Sequence, residues 1–252
     1  LRGFRVSGDK AVYQLGADLF QLDLSRAATQ GAQVAVSLRS DGPYQRQRFL
    51  EKPLTYMTSA SLAAKADKVV VTMRGQLAVL SKPPIRAVTI DTPQTSRARS
   101  AVLSPDGQYV YAMSDQSGEN EIWRFATDGS AQAKQLTKDG STFRWGLYPS
   151  PDGRYLAHDD KQGQLWLLDV KTGSNQLVYK SGSGLSPYSD MNWNKNSSLL
   201  AFTTEKDGVG RQQIGLYSVK EQQAKLLTTD FNLAKLAEFH GVTWLNLNSL
   251  AK

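Results

Sequence analysis

This sequence predicts an all-β chain of four-stranded β-propeller blades. Three repeating features predict it: a Ser-Pro-Asp-Gly turn, a period-two strand after each turn, and a short strand that closes each unit. The turn Ser104-Pro105-Asp106-Gly107, followed by Gln108-Tyr109-Val110-Tyr111, returns as Ser150-Pro151-Asp152-Gly153 and Arg154-Tyr155-Leu156-Ala157, an offset of 46 (151 minus 105). Looser copies stand at Asn194-Lys195-Asn196-Ser197, 44 residues further on (195 minus 151), and at Ala63-Ala64-Lys65-Ala66, 41 earlier (105 minus 64).

Each element follows from local chemistry. Proline presets φ, aspartate closes an Asx-type bond and glycine accepts a positive φ, so Ser-Pro-Asp-Gly reverses the chain between a first and a second strand. The first strands are Ala101-Val102-Leu103, Gly146-Leu147-Tyr148 and Met191-Asn192-Trp193. Third strands alternate apolar and polar residues: Asp18 to Leu22, Gln76 to Leu80, Glu121 to Phe125, Gln164 to Leu168 and Gln213 to Tyr217. Outer strands follow at Ala87-Val88-Thr89, Gln135-Leu136-Thr137, Gln176-Leu177-Val178 and Leu226-Leu227-Thr228. The connections Asp115 to Asn120 and Asp159 to Gly163 join second strands to third, and Asp128-Gly129 and Lys171-Thr172-Gly173 turn third into fourth. Four strands per unit of about 40 to 50 residues give about four to five blades of a partial ring.

The rhythm breaks twice, and the breaks set the expected organisation. Residues 1–34 read as the last blade portion of a preceding propeller, 35–56 as a linker, 57–230 as consecutive blades and 231–252 as an irregular or partial next blade. Leu1 opens the chain with no basic and apolar leader pattern, so the reading is of a segment of a longer protein.

The run from Ala17 to Asp230 resembles the propeller region of tricorn-type serine proteases. The resemblance rests on connected order: Asp18 to Asp23 ending one propeller, the linker Arg46 to Tyr56, Thr58 to Leu62 as the next first strand, then Asp115 to Trp123 and Gln135-Leu136-Thr137. It implies a non-catalytic segment that binds or channels peptides toward a serine nucleophile in C-terminal domains absent from this sequence. The same turn also marks TolB-like propellers, so the alternative is a protein-protein interaction module. The loose turns at Ala63 to Ala66 and Asn194 to Ser197 depart from the tricorn pattern.

Composition narrows the chemistry. With 30 Lys and Arg against 23 Asp and Glu, the net charge is +7, which suits peptide carboxylates if the excess gathers on one surface. Arg39, Arg46, Arg48 and Lys52 are close together in the linker, and Arg46 and Arg48 are the expected substrate-binding pair. The chain lacks cysteine, so it has no thiolate metal site or thiol nucleophile, and periplasm and cytoplasm both stay open as compartments. No apolar run approaches a membrane span.

No catalytic residue, cofactor or metal ligand is assigned. His158 reads as a surface histidine beside a turn, Asp159-Asp160 as a solvated turn, His240 as an ordinary tail residue, and Ser181-Gly182-Ser183-Gly184 as a loop without the context of a nucleophile elbow. Trp123, Trp145, Trp166, Trp193 and Trp244 recur where blades pack, so no stacking surface for nucleic acid is expected. The expected partners are peptides, the remaining domains of the parent protease and, through an unclosed edge, a second copy of the chain.

Overall fold

The structure is a computed structural model and describes residues 2–26, 30–37, 49, 51–82, 86–181, 191–205 and 212–227. These form five four-stranded antiparallel sheets, each with its strands hydrogen-bonded in chain order, as propeller blades are. No helix among the described residues is long and apolar enough to cross a membrane. The chain divides into two compact units, Leu1–Glu51 and Lys52–Lys252.

The first unit holds one sheet, β1 (Arg2–Ser7), β2 (Lys10–Leu15), β3 (Asp18–Asp23) and β4 (Ala32–Val34). Tyr13 stacks on Phe20 across β2 and β3 with ring centroids 5.6 Å apart.

The second unit opens with a 3-10 turn over Pro53–Tyr56 and holds four sheets. The first comprises β5 (Met57–Leu62), β6 (Lys68–Met73), β7 (Gln76–Ser81) and β8 (Arg86–Ile90). The second comprises β9 (Ala98–Leu103), β10 (Tyr109–Ser114), β11 (Glu121–Ala126) and β12 (Lys134–Gln135). The third comprises β13 (Arg144–Pro149), β14 (Tyr155–Asp160), β15 (Gln164–Asp169) and β16 (Asn175–Lys180). The fourth comprises β17 (Met191–Trp193), β18 (Leu199–Glu205), β19 (Gln212–Ser218) and β20 (Gln223–Leu226). Strand β9 packs closely on β5 of the preceding sheet and on β13 of the following one, whereas the last strands of these three sheets barely meet, so these sheets fan out from their first strands.

Alternation along each strand builds the core between sheets. Val110 and Ala112 on β10 pack with Val70, Leu77 and Val79 of the preceding sheet. Tyr111 and Met113, one residue out of phase, pack with Leu147, Leu156 and Leu168 of the following sheet. Ala157, Leu165 and Leu167 then meet Trp193, Leu200, Phe202 and Tyr217. Each fully buried Leu or Phe contributes about 1.5 to 3 kcal/mol.

The turns interlock at one end of this fan. Ser104 Oγ donates to Asp106 Oδ1 at 2.6 Å and accepts the Tyr109 amide at 2.9 Å, and Ser150 repeats this with Asp152 and Tyr155 at the same distances. The loose copy reaches the same reversal by other atoms. Asn194 Oδ1 accepts the amides of Ser198 and Leu199, and Ser197 takes the left-handed conformation at φ 59°. The turns also bond to their neighbours: Lys65 N to Pro105 O at 2.8 Å, Lys68 Nζ to Gly107 O at 2.8 Å, and Asp152 N to Ser197 Oγ at 3.0 Å.

Two details correct the sequence reading. Strand β14 extends through Asp159 and Asp160, which are buried and not part of a solvated turn. Asp160 Oδ1 accepts the amides of Gln162 and Gln164, while Oδ2 accepts Trp166 Nε1 at 2.9 Å. The outer strand β20 ends at Leu226, where Leu226 to Thr228 was expected. The segment 231–252, expected to be an irregular or partial next blade, lies outside the described residues.

Gly107 and Gly129 separate backbone strain from close approach. Both have positive φ (70° and 72°), but a Cβ on Gly107 would stand 2.7 Å from Ala66 Cβ, against 3.6 Å from Val88 Cγ1 for Gly129. In urea denaturation Gly129→Ala should cost about 1 kcal/mol for the left-handed backbone. Gly107→Ala should cost about 2 to 3 kcal/mol, because the turn must also withdraw from its neighbour.

Candidate functional site

The first strands of the sheets carry the candidate site, at the end where they begin. Pairing slips by one residue between Met57 and Ser59 on β5, between Arg99 and Val102 on β9, and between Arg144 and Leu147 on β13. Such bulges swing side chains out of the pleat and recur beside functional surfaces. The β9 bulge contains Ser100 at φ 51°, a left-handed conformation unusual for a residue other than glycine. Ser100 Oγ donates to Trp145 O at 3.3 Å.

On either side of the bulge on β13 the chain alternates outward and inward. Phe143 and Trp145 point out, 39% and 45% exposed, with rings edge to face at 4.7 Å. The guanidinium of Arg99 lies 3.8 Å over Phe143 and its Nη2 donates to Arg144 O at 2.7 Å. Burial, then repulsion from Arg144, lowers the pKa of Arg99, which stays cationic because arginine begins so high. Arg97 is exposed beside it, its backbone N–H held by Asp115 Oδ1 at 2.6 Å. Further along the same rim, Arg74 lies 5.4 Å over the ring of Tyr56.

Arg144, between the two outward aromatics, points inward and anchors them. Its Nη1 donates to Asn120 O and stands 3.3 Å from Glu121 Oε2, while Nη2 bonds Asp139 Oδ1 at 2.5 Å. Glu121 accepts Thr137 Oγ1 and the Gly140 amide. Asn175 Nδ2 donates to Asp139 Oδ2 at 3.0 Å, and Asn175 Oδ1 meets His158 Nε2 at 2.9 Å. One hydrogen-bonded network thus ties the second and third sheets of this unit directly beneath the platform.

His158 belongs to that network and is not a surface histidine. It is 1% exposed on β14, with its ring parallel to Trp166 at 6.3 Å. Burial pushes its pKa down to about 4, with the Asn175 bond opposing and Arg144 adding to the fall. Among the described residues Nδ1 has no hydrogen-bond partner, so no described Ser or Thr hydroxyl is paired with this imidazole. Asp159 Oδ1 accepts the Gly146 amide at 2.9 Å and so braces the bulge. No group of three His, Asp or Glu among the described residues could hold a metal ion.

Among the described residues the platform comprises Arg99, Phe143 and Trp145. Arg46 and Arg48 lie outside the described residues, as do Arg39, His240, Trp244 and Gly182 to Gly184. Trp145 is exposed, whereas the recurrence of tryptophan had pointed to packing. The sequence signal was the run Phe143-Arg144-Trp145, an aromatic-cation-aromatic alternation directly before a first strand.

No family model matches the chain. It is 25% identical over 197 residues to a protein of Sulfurisphaera tokodaii described as a tricorn-like protease C-terminal subunit, covering 78% of this chain and 21% of that one. An uncharacterized protein of Agrobacterium fabrum is 26% identical over 110 residues, covering 39% of this chain and 37% of its own. The chain thus spans well under half the length of these relatives. Among solved structures, tricorn protease superposes with a TM-score of 0.63 at 15% identity, over 88% of this chain and 21% of that one. A structure described as TolB from Agrobacterium tumefaciens gives 0.52 at 16% identity, over 69% and 62%. The nidogen/laminin complex gives 0.54 at 14%, over 86% and 77%. The chain is a distant homologue of tricorn-like proteases, with a propeller fold that TolB and nidogen share.

The network predicts how stability follows pH. His158 has a folded pKa of about 4 against an ordinary value near 6.5, so on acidification the unfolded chain takes up the proton first. The stability present above pH 6.5 is lost as pH falls to about 4, by about 3 kcal/mol from this group. Replacing His158 by Gln should flatten the fall between those two pH values, read as unfolding free energy against pH for both proteins.

Proposed function

We propose that the chain is a non-catalytic binding propeller that takes extended peptides at the platform of Arg99, Phe143 and Trp145. One observation carries the reading: a half-buried guanidinium stacked on Phe143 of an exposed aromatic pair, beside a buried network, offers an apolar anchor next to a cation. Such pre-organised aromatic and arginine groups dominate binding energy at protein surfaces. A peptide side chain would lie on Trp145 and Phe143, and its terminal carboxylate would meet Arg99 or Arg97.

Within a longer tricorn-like serine protease, such a segment would hold or pass peptides toward an active site in other domains, without a cofactor of its own. The distant homology supports this reading. On the same view residues 1–34 end one propeller, 35–56 link it to the next, and Arg46 and Arg48 add positive charge along the peptide path. The half-buried apolar face of the 57–90 sheet, with Val69, Val71, Met73 and Leu80, is suited to a further blade. A second reading, an interaction module like TolB, draws on the fold shared with TolB and on the same exposed aromatics, with a folded protein in place of the peptide.

The test is fluorescence anisotropy with two labelled peptides that differ only in a free or amidated C-terminus. The free form should bind more tightly. Trp145→Ala should weaken both peptides about tenfold, while Arg99→Gln should weaken the free form more, by about 1 to 3 kcal/mol. Arg46→Ala with Arg48→Ala, in the same assay, decides whether that pair contributes. Failure of both peptides to bind would overturn the peptide reading and leave the interaction module.

A further inference from the structure

The other end of the same strands carries an independent feature. The β9–β10 and β13–β14 turns stand side by side there, and between them lies a cleft of about 270 Å³. Its charged lining comprises the cations Lys65, Arg124, Arg154 and Lys171 and the carboxylates Asp106 and Asp152, an excess of two positive charges (four minus two).

The two carboxylates are engaged by their own turns. Asp106 Oδ1 accepts Ser104 Oγ at 2.6 Å and the Gln108 amide at 3.1 Å, and Asp152 Oδ1 accepts Ser150 Oγ and the Arg154 amide at the same distances. Two of the cations are also engaged. Arg154 Nε stands 3.3 Å from Asp169 Oδ2, and Lys65 Nζ donates to Pro151 O at 2.9 Å.

Arg124 and Lys171 have no side-chain ion pair or hydrogen bond among the described residues. Arg124 is half-buried and fixed in place, its guanidinium 4.5 Å over the ring of Tyr109. An arginine held by stacking loses little rotamer freedom when it binds an oxyanion. Tyr111 also lines the cleft and is only 3% exposed. Burial pushes its phenol up to about 12, so it remains a hydrogen-bond donor at neutral pH. No hydrogen bond to its hydroxyl comes from the described residues, which leaves it free to donate to a ligand.

We propose that this cleft binds a compact dianion, the phosphoryl group or paired carboxylates of a small molecule, bridging Arg124 and Lys171 and accepting the Tyr111 hydroxyl. The volume is below the usual range for drug-sized ligands and suits a ligand of a few heavy atoms. Arginine's planar fork matches either oxyanion. The site is separated from the peptide platform by the length of the β9 and β13 strands, so it stands whether or not that platform binds peptides.

Isothermal titration of the full 252-residue chain tests it, with inorganic phosphate and succinate at fixed ionic strength and acetate as the monoanionic control. At least one dianion should saturate a single site, with acetate about tenfold weaker or more, and Arg124→Gln and Lys171→Gln should each weaken it about tenfold. Saturation by phosphate alone, succinate alone or both identifies the oxyanion, and each outcome supports the site. Should Arg124→Gln lower the melting temperature, the exposed Lys171→Gln carries the comparison. No saturable binding by either dianion, or an affinity unchanged by both substitutions, overturns the proposal.

Discussion

A four-stranded antiparallel sheet with two apolar faces has no interior of its own. Everything else in the second unit depends on that constraint. Strand β10 shows it most plainly: Val110 and Ala112 face one neighbour, while Tyr111 and Met113 face the other, so the strand is buried only when both sheets are present. Stability in such a stack is a chain of interfaces, and each interface must be specific enough to set one angle between sheets. The hydrophobic contacts supply most of the driving force, but they are non-directional.

Direction comes from polar groups at the two ends of the strands. At one end the turns bond to one another through backbone carbonyls, with Lys65 and Lys68 reaching across to the next turn. At the other end Arg144 joins Asn120, Glu121 and Asp139, and Asn175 extends the network to His158. A buried arginine with two carboxylates adds little net stability over an apolar replacement, yet removing one partner is costly. Its structural consequence here is registry: Arg144 cannot turn outward without stranding Glu121, so Phe143 and Trp145 on either side of it must.

The platform is thus positioned by an inter-sheet brace. The bulge at Ser100 and the bulge braced by Asp159 hold the rim against the pleat. His158 is held neutral by burial and has no hydroxyl partner among the described residues.

The sequence by itself determined the fold class, because turn chemistry and strand alternation are local. Ser-Pro-Asp-Gly dictates a reversal wherever it occurs, and Glu121 to Phe125 or Gln164 to Leu168 can bury alternate side chains only as strands. Even the loose turn at Asn194 stayed legible, since Asn194 and Ser197 supply the same acceptor and the same left-handed residue. What lies near His158 was not legible. Whether His158, Asp159 and Asp160 face water or a neighbouring sheet is decided by where β14 ends and by the partners Asn175, Gly146 and Trp166, each brought there from another strand. The same holds for Trp145, read as a packing residue until the bulge turned it outward. Periodicity sets which side of a strand a residue occupies. Only the tertiary structure decides which sides are covered, because burial is a property of neighbours distant in sequence.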